Sequence, residues 1–266
     1  MSSKRANVLF VVLAYVLFWV WIIAAGVCQM LGGAGAFDVA QQLAYYIGPW
    51  APTFALLIMF KKLYPEWTIK EFYQEAFNVR VNFKLLAVFT IVWVLIYVGV
   101  VGIDAAAKGV SFTGLFSFSF LGFIGSLFTG DIGEESGWRG HLQQFFEKKN
   151  NVIKASLIVG IIWAFWHFPL YLLAGITGSD LILFILFNVL DKLALAMVIG
   201  ICYSRCRNLF VPIWIHFISN MVLNPTQDVL LNPISNFYFI VILEVLVAAG
   251  YVVWYKKSGK NGTCAI

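Results

Sequence analysis

The sequence predicts an all-α protein: a polytopic bundle of about eight transmembrane helices, with a further helix at the cytoplasmic interface. Of its 266 residues, 61% are hydrophobic and only 12% are charged, a composition far outside the range of soluble globular domains. Eight apolar runs approach the roughly 20 residues that span a bilayer; they lie at 8–31, 43–60, 85–103, 120–146, 152–174, 181–203, 209–223 and 237–255. The connecting loops are short and no linker or repeat divides the chain, so residues 1–266 are expected to form a single membrane domain.

The positive charges predict the orientation of these runs. Short loops that are rich in Lys and Arg stay on the cytoplasmic side. Of the 18 basic residues, 15 precede the first run or fall near alternate loops; the exceptions are Lys108, Arg139 and Lys192. Both termini are therefore predicted to be cytoplasmic. The net charge of +5 then reflects orientation in membrane lipid, and no basic patch indicates nucleic acid as a partner.

One segment between the second and third runs has an amphipathic pattern. Thr68 and Glu71 form a capping box, and apolar residues recur at positions 69, 72, 73, 76 and 77. This pattern predicts a helix that lies on the cytoplasmic interface, where anchoring is favoured over gating. In the second run, Pro49 and Pro52 predict a kinked helix.

Ionisable side chains are concentrated in the fourth run. Each such group costs about 2.5–3.5 kcal/mol at the bilayer centre on insertion scales, so it needs a partner or a function. In a helix Glu135 and Arg139 are four residues apart and can pair. Glu134 points about 100° away from Glu135 and therefore has no basic partner on this helix. Because only one of the two acids has a basic partner in reach, Glu134 is suited to act as a general base.

The fifth and seventh runs supply the complementary groups. The fifth contains His167, and in the seventh His216 and Asn220 share one helix face. A single membrane histidine is as often a structural hydrogen-bonding group as a chemical one. Two acids, two imidazoles and an amide together are what water activation and oxyanion stabilisation require. We therefore expect these three helices to surround one water-filled pocket near mid-membrane.

Four further polar residues are harder to assign. His141 is expected to face water at a helix end. Asp191 and Lys192 are adjacent, so they are expected not to pair simply with one another. Glu244 has no evident partner in the sequence.

The polar residues resemble the motifs of the CPBP family of intramembrane peptidases, which contains the CAAX prenyl proteases of the Rce1 type and the bacterial Abi proteins. The family pattern is Glu-Glu-x-x-x-Arg, then Phe-x-x-x-His, then His-x-x-x-Asn or Asp. The first motif is complete from Glu134 to Arg139, and the third from His216 to Asn220. The second departs from the pattern because Trp163 replaces Phe before His167. The resemblance covers roughly residues 115–225.

The resemblance implies an endopeptidase of a bacterial cell membrane that cleaves a membrane-associated or prenylated-type protein. Glu134 and His167 would activate water, and His216 and Asn220 would stabilise the oxyanion. Glu135 and Arg139 would form an orienting pair. An older interpretation of the family makes its His and Glu residues metal ligands, with His167 and His216 as candidates here. Two histidines and a carboxylate also suit catalytic zinc, so the sequence leaves both mechanisms open.

Two other classes of function remain open from the sequence. A proton- or ion-coupled transporter would also bury acids and histidines, but it predicts repeated halves, and the sequence shows no such repeat. A non-catalytic membrane protein, acting in bacteriocin immunity or as a scaffold, would bind through the same region. The complete first and third motifs argue against a degenerate site. The oligomeric state is not predicted.

Overall fold

A computed structural model describes residues 3–31, 46–109, 125, 127–223 and 233–258. The elements within these ranges are helices, without a strand. Among the described residues, four helical segments are long and apolar enough to cross a membrane: Lys4–Cys28, Phe83–Lys108, Gly178–Cys206 and Ile234–Lys257. Val152–Trp166 and Phe210–Met221 are apolar but shorter. The predicted helical membrane bundle is thus confirmed.

In chain order the helices are α1 (Ser3–Leu31), α2 (Ala51–Leu63), α3 (Ile69–Asn78), α4 (Phe83–Lys108), α5, α6 (Val152–Trp166), α7 (Phe168–Leu172), α8 (Gly178–Cys206), α9 (Phe210–Leu223) and α10 (Pro233–Lys257). Helix α5 consists of four consecutive stretches: Leu127–Asp131, Ile132–Gly137, Trp138–Gln143 and Gln144–Glu147. The first and third of them are wound as π-helix. Such wide turns are rare and frequently mark functional sites.

The amphipathic segment forms α3, as predicted. The Thr68 hydroxyl accepts the backbone N–H of Glu71, and the Glu71 carboxylate accepts the backbone N–H of Thr68 at 2.7 Å. The backbone N–H of Thr68 and, second, its hydroxyl donate to this carboxylate and hold the pKa of Glu71 below its ordinary value. Phe72 and Ala76 are buried on the apolar face. The location of α3 at the cytoplasmic interface stays a prediction.

The prolines of the second run lie where its winding changes from 3-10 to α-helix. Gly48–Trp50 is a 3-10 turn that contains Pro49, and α2 then begins at Ala51 with Pro52 in its first turn. Proline is tolerated there because the first N–H groups of a helix have no intrahelical partner. The predicted kink of this helix stays a prediction. Positions 43–45 of this run, and 120–124 and 126 of the fourth, lie outside them.

The fifth run is interrupted, although the sequence predicted one span over 152–174. Helix α6 ends at Trp166 and the short α7 begins at Phe168, with His167 at the junction. Pro169 has no N–H with which to continue the hydrogen-bond ladder of α6. The break places His167 at the end of a helix.

Helix α5 lies at the centre of the bundle. Every residue from 133 to 143 is buried, including the charged ones. Helix α2 packs against the Ile132–Gly137 stretch and α1 packs along α2, while α8 packs against both α6 and α10. Helix α9 contacts α4, α8 and the first stretches of α5. The polar part of the fourth run therefore faces protein on all sides.

Two glycines allow α2 to approach α5 closely. A Cβ atom on Gly133 would lie 3.0 Å from the Cα of Trp50, and one on Gly137 would lie 2.6 Å from the Cβ of Pro52. Small residues four apart commonly allow such close approach in membrane helices. The Thr53 hydroxyl also donates to the carbonyl oxygen of Gly133 at 2.5 Å. These contacts fix the rotation of α5.

Replacing Gly137 with Ala is expected to destabilise the protein by about 1–3 kcal/mol, because the added methyl group overpacks the contact with Pro52. Gly99→Ala is the matched control: Gly99 is a helical glycine with open space around its Cβ position. The measurement is the thermal unfolding midpoint in detergent. Equal midpoints for the two variants would show that the α2–α5 contact is not tight.

Candidate active site

Glu135 and Arg139 form the pair that the sequence predicts. Nη1 of Arg139 donates to Oε1 of Glu135 at 2.8 Å, and both side chains are completely buried. Glu134, as expected, faces a different neighbour: its Oε2 accepts the indole N–H of Trp163 from α6 at 2.5 Å. The two acids are thus held by partners on different helices.

His216, on α9, contacts the carboxylate of Glu135. Its Nδ1 lies 2.9 Å from Oε1 of Glu135, the oxygen that also accepts from Arg139. A carboxylate oxygen accepts, so Nδ1 carries a proton and donates. His216 is buried, and its Nε2 lies 3.6 Å from Oδ1 of Asp131.

Asp131 is a site residue that the sequence analysis missed. It is fully buried, and its Oδ1 accepts the side-chain N–H of Asn220 at 2.7 Å. A signal was present, because Asp131 precedes Glu134 and Glu135 by three and four residues and therefore shares their side of the helix. A buried acid in an apolar run needs a partner. Asp131 has two, His216 and Asn220, in the third motif.

His167 reaches the cluster through Trp163. Its Nδ1 lies 2.9 Å from the backbone oxygen of Trp163, and a carbonyl only accepts, so Nδ1 must carry the proton. In neutral imidazole the lone pair is then on Nε2. The Trp163 ring also contacts both imidazoles edge-on, with centroids 5.6 Å from that of His167 and 4.9 Å from that of His216.

The structure therefore brings all six predicted residues together, in one cluster that also includes Asp131 and Trp163. Glu134, Glu135, Arg139 and His216 are buried, whereas His167 and Asn220 are partly exposed. Chemically, the cluster offers a carboxylate, an imidazole lone pair and N–H donors. His167 and Asn220 are its two partly exposed members, and the water-filled pocket expected between the three helices stays a prediction.

His141 lies elsewhere, and its predicted position facing water is wrong. It is buried; its Nδ1 lies 2.9 Å from the Tyr64 hydroxyl, and its ring packs edge-on against Phe10. It contributes to a separate cavity of about 430 Å³ that Lys148 and Arg207 also line. The His141 ring is covered by Phe10 of α1 and by Tyr64, which follows α2.

Asp191 and Lys192 do pair, contrary to the prediction from their adjacency. Nζ of Lys192 lies 2.5 Å from Oδ2 of Asp191, because the four-carbon lysine chain can fold back along the helix. Glu244, fully buried on α10, interacts with both residues. Lys192 also lies 5.4 Å from the ring centroid of Trp163, so this second charged group adjoins the cluster.

The metal alternative depends on how the acids and imidazoles of the cluster are placed. Among the described residues, no group of three or more His, Cys, Asp or Glu side chains is placed to hold a metal ion. Catalytic zinc takes neutral imidazole nitrogens and a carboxylate. Here both ring nitrogens of His216 face carboxylates, and His167 uses Nδ1 on a backbone oxygen. The zinc alternative thus stays a prediction.

The same region of the chain is similar to known proteins. Residues 115–222, which contain the three motifs, match the Rce1-like family, described as type II CAAX prenyl endopeptidase Rce1-like. The chain is also 27% identical over 203 residues to CAAX prenyl protease 2 of Methanococcus maripaludis, covering 71% of this chain and 72% of that protein. Through the segment that builds the buried cluster, the chain is therefore similar to the CAAX prenyl endopeptidases of the Rce1 type.

Proposed function

We propose that this protein is an intramembrane endopeptidase that hydrolyses a peptide bond of a membrane-associated protein, with prenylated C-terminal segments as the first substrate class to test. The family match and the relative named a prenyl protease support this proposal. The observation that carries it is the buried Glu134 carboxylate, which accepts a hydrogen bond from Trp163, the residue whose ring contacts both His167 and His216.

Glu134 acts as the general base in the proposed reaction. It takes a proton from a water molecule that also donates a hydrogen bond to the lone pair on Nε2 of His167. The oxygen of that water forms a bond to the scissile carbonyl carbon, and the carbonyl electron pair moves onto oxygen. General base catalysis contributes about 10²–10⁴-fold to such a step.

His216 and Asn220 stabilise the oxyanion that results. His216 acts here as an imidazolium: Nδ1 donates to Glu135, and the proton on Nε2, which is too far from Asp131 for a normal hydrogen bond, is available to the oxyanion. Asn220 has a second N–H besides the one that Asp131 accepts. Glu135 and Arg139 hold His216 from the other side of its ring. When the carbonyl re-forms, the C–N bond breaks and Glu134 returns its proton to the leaving amine.

Conversion of Glu134 to Gln keeps the size of the side chain but removes the base, so cleavage is expected to fall by at least about 100-fold. The assay uses purified protein in liposomes with a prenylated peptide. Asp104→Asn is the control: Asp104 is an acid on α4 that pairs with Lys108 outside the cluster, and its variant should cleave normally. Wild-type cleavage by the Glu134 variant would contradict the proposal, and failure of wild type to cleave would reject this substrate class.

Metal analysis separates the two mechanisms left open by the sequence. The carboxylate mechanism predicts that cleavage persists in a chelator and that the active protein carries no stoichiometric zinc. One zinc ion per chain, lost together with activity on chelation and regained with it, would establish the metal alternative.

Asp131 and Asn220 are expected to be energetically coupled, because they share one buried hydrogen bond. If Asp131 holds Asn220 for oxyanion binding, Asp131→Ala and Asn220→Ala each remove the same interaction. The thermal unfolding midpoint of the double variant should then fall by less than the sum of the two single effects. Simple additivity would show that the contact contributes nothing.

A further inference from the structure

The Trp163 side chain occupies the centre of the site although no role has been assigned to it. It is fully buried, and its indole N–H donates to Oε2 of Glu134 at 2.5 Å. Hydrogen bonds to a carboxylate are short and about twice as strong as those between neutral groups. The phenylalanine usual in the motif has no N–H, so this contact is a feature of the present sequence.

The indole ring is itself held by its neighbours. The guanidinium carbon of Arg139 lies 4.5 Å from the ring centroid, and Nζ of Lys192 lies 5.4 Å from it. Both distances lie within the range of attraction between a cation and an aromatic face. The ring of His216 contacts the indole edge-on from a third element. These contacts fix the ring and hence the direction of its N–H.

The same residue also orients the second proposed water activator. The backbone oxygen of Trp163 accepts the Nδ1 proton of His167, which leaves the lone pair on Nε2. The side chain of Trp163 thus donates a hydrogen bond to Glu134, and its backbone accepts one from His167. Only the side-chain contact depends on the identity of the residue, so a substitution can remove it selectively.

We propose that Trp163 is a positioning residue that holds one oxygen of Glu134 through its indole N–H and leaves the other oxygen to take the proton from water. This inference rests on the proposed peptidase function. It predicts an effect on the chemical step and not on substrate binding, because the indole N–H is used on the enzyme's own carboxylate.

Trp163→Phe tests this inference, because it keeps an aromatic ring and removes the N–H donor. We expect kcat for a prenylated peptide to fall about 10- to 100-fold, as for loss of a hydrogen bond to a charged group, with KM changed less than about twofold. Trp214→Phe is the matched control: the Trp214 indole donates to the Thr90 hydroxyl at 3.0 Å, between α9 and α4, and its variant should keep kcat.

A second substitution keeps the size of the ring system. Incorporation of 3-benzothienylalanine at position 163 replaces the N–H by sulfur in a bicyclic ring of nearly the same shape, and it should lower kcat as Phe does. Normal kcat in a folded position-163 variant, or a loss that appears mainly in KM, would overturn the positioning role. Full cleavage by Glu134→Gln would instead overturn the proposed function itself.

Discussion

A single carboxylate oxygen, Oε1 of Glu135, joins two helices at the centre of the bundle. It accepts from Arg139 on its own helix and from His216 on α9, at 2.8 and 2.9 Å. All three side chains are buried, so removing one partner would leave an unpaired group in a medium of low dielectric constant. With Glu135 directed towards α9, the helical repeat directs Glu134 towards Trp163 on α6.

Different faces of α5 contact different helices of the site. Gly133 and Gly137 admit α2, and the close contact sets the rotation of the helix. Asp131 and Glu135 then meet α9, while Glu134 meets α6. A membrane helix that is glycine-rich and charged in this way cannot face lipid, and every residue from 133 to 143 is indeed buried. The packing of α5 and the position of its acids therefore depend on the same part of that helix.

Local rules predicted much of this arrangement from the sequence. Hydropathy and helical spacing predicted the helical bundle, the Glu135–Arg139 pair, the capping box of α3 and the separate direction of Glu134. They did not predict contacts between helices, so the Asp131–Asn220 hydrogen bond and the indole bond to Glu134 appeared only in three dimensions. The break at His167 was missed because hydropathy continues through it, although Pro169 carried the signal.

The most direct test of the central carboxylate compares two acid–base pairs with the same spacing of four residues. Arg139 and Glu135 are both completely buried, whereas Lys108 and Asp104 are partly exposed. Equilibrium unfolding in mixed detergent micelles measures the free energy lost in Arg139→Ala and in Lys108→Ala. We predict a loss of about 3–5 kcal/mol for Arg139→Ala and of no more than about 1 kcal/mol for Lys108→Ala. Equally small losses for both variants would contradict a structure that depends on Glu135.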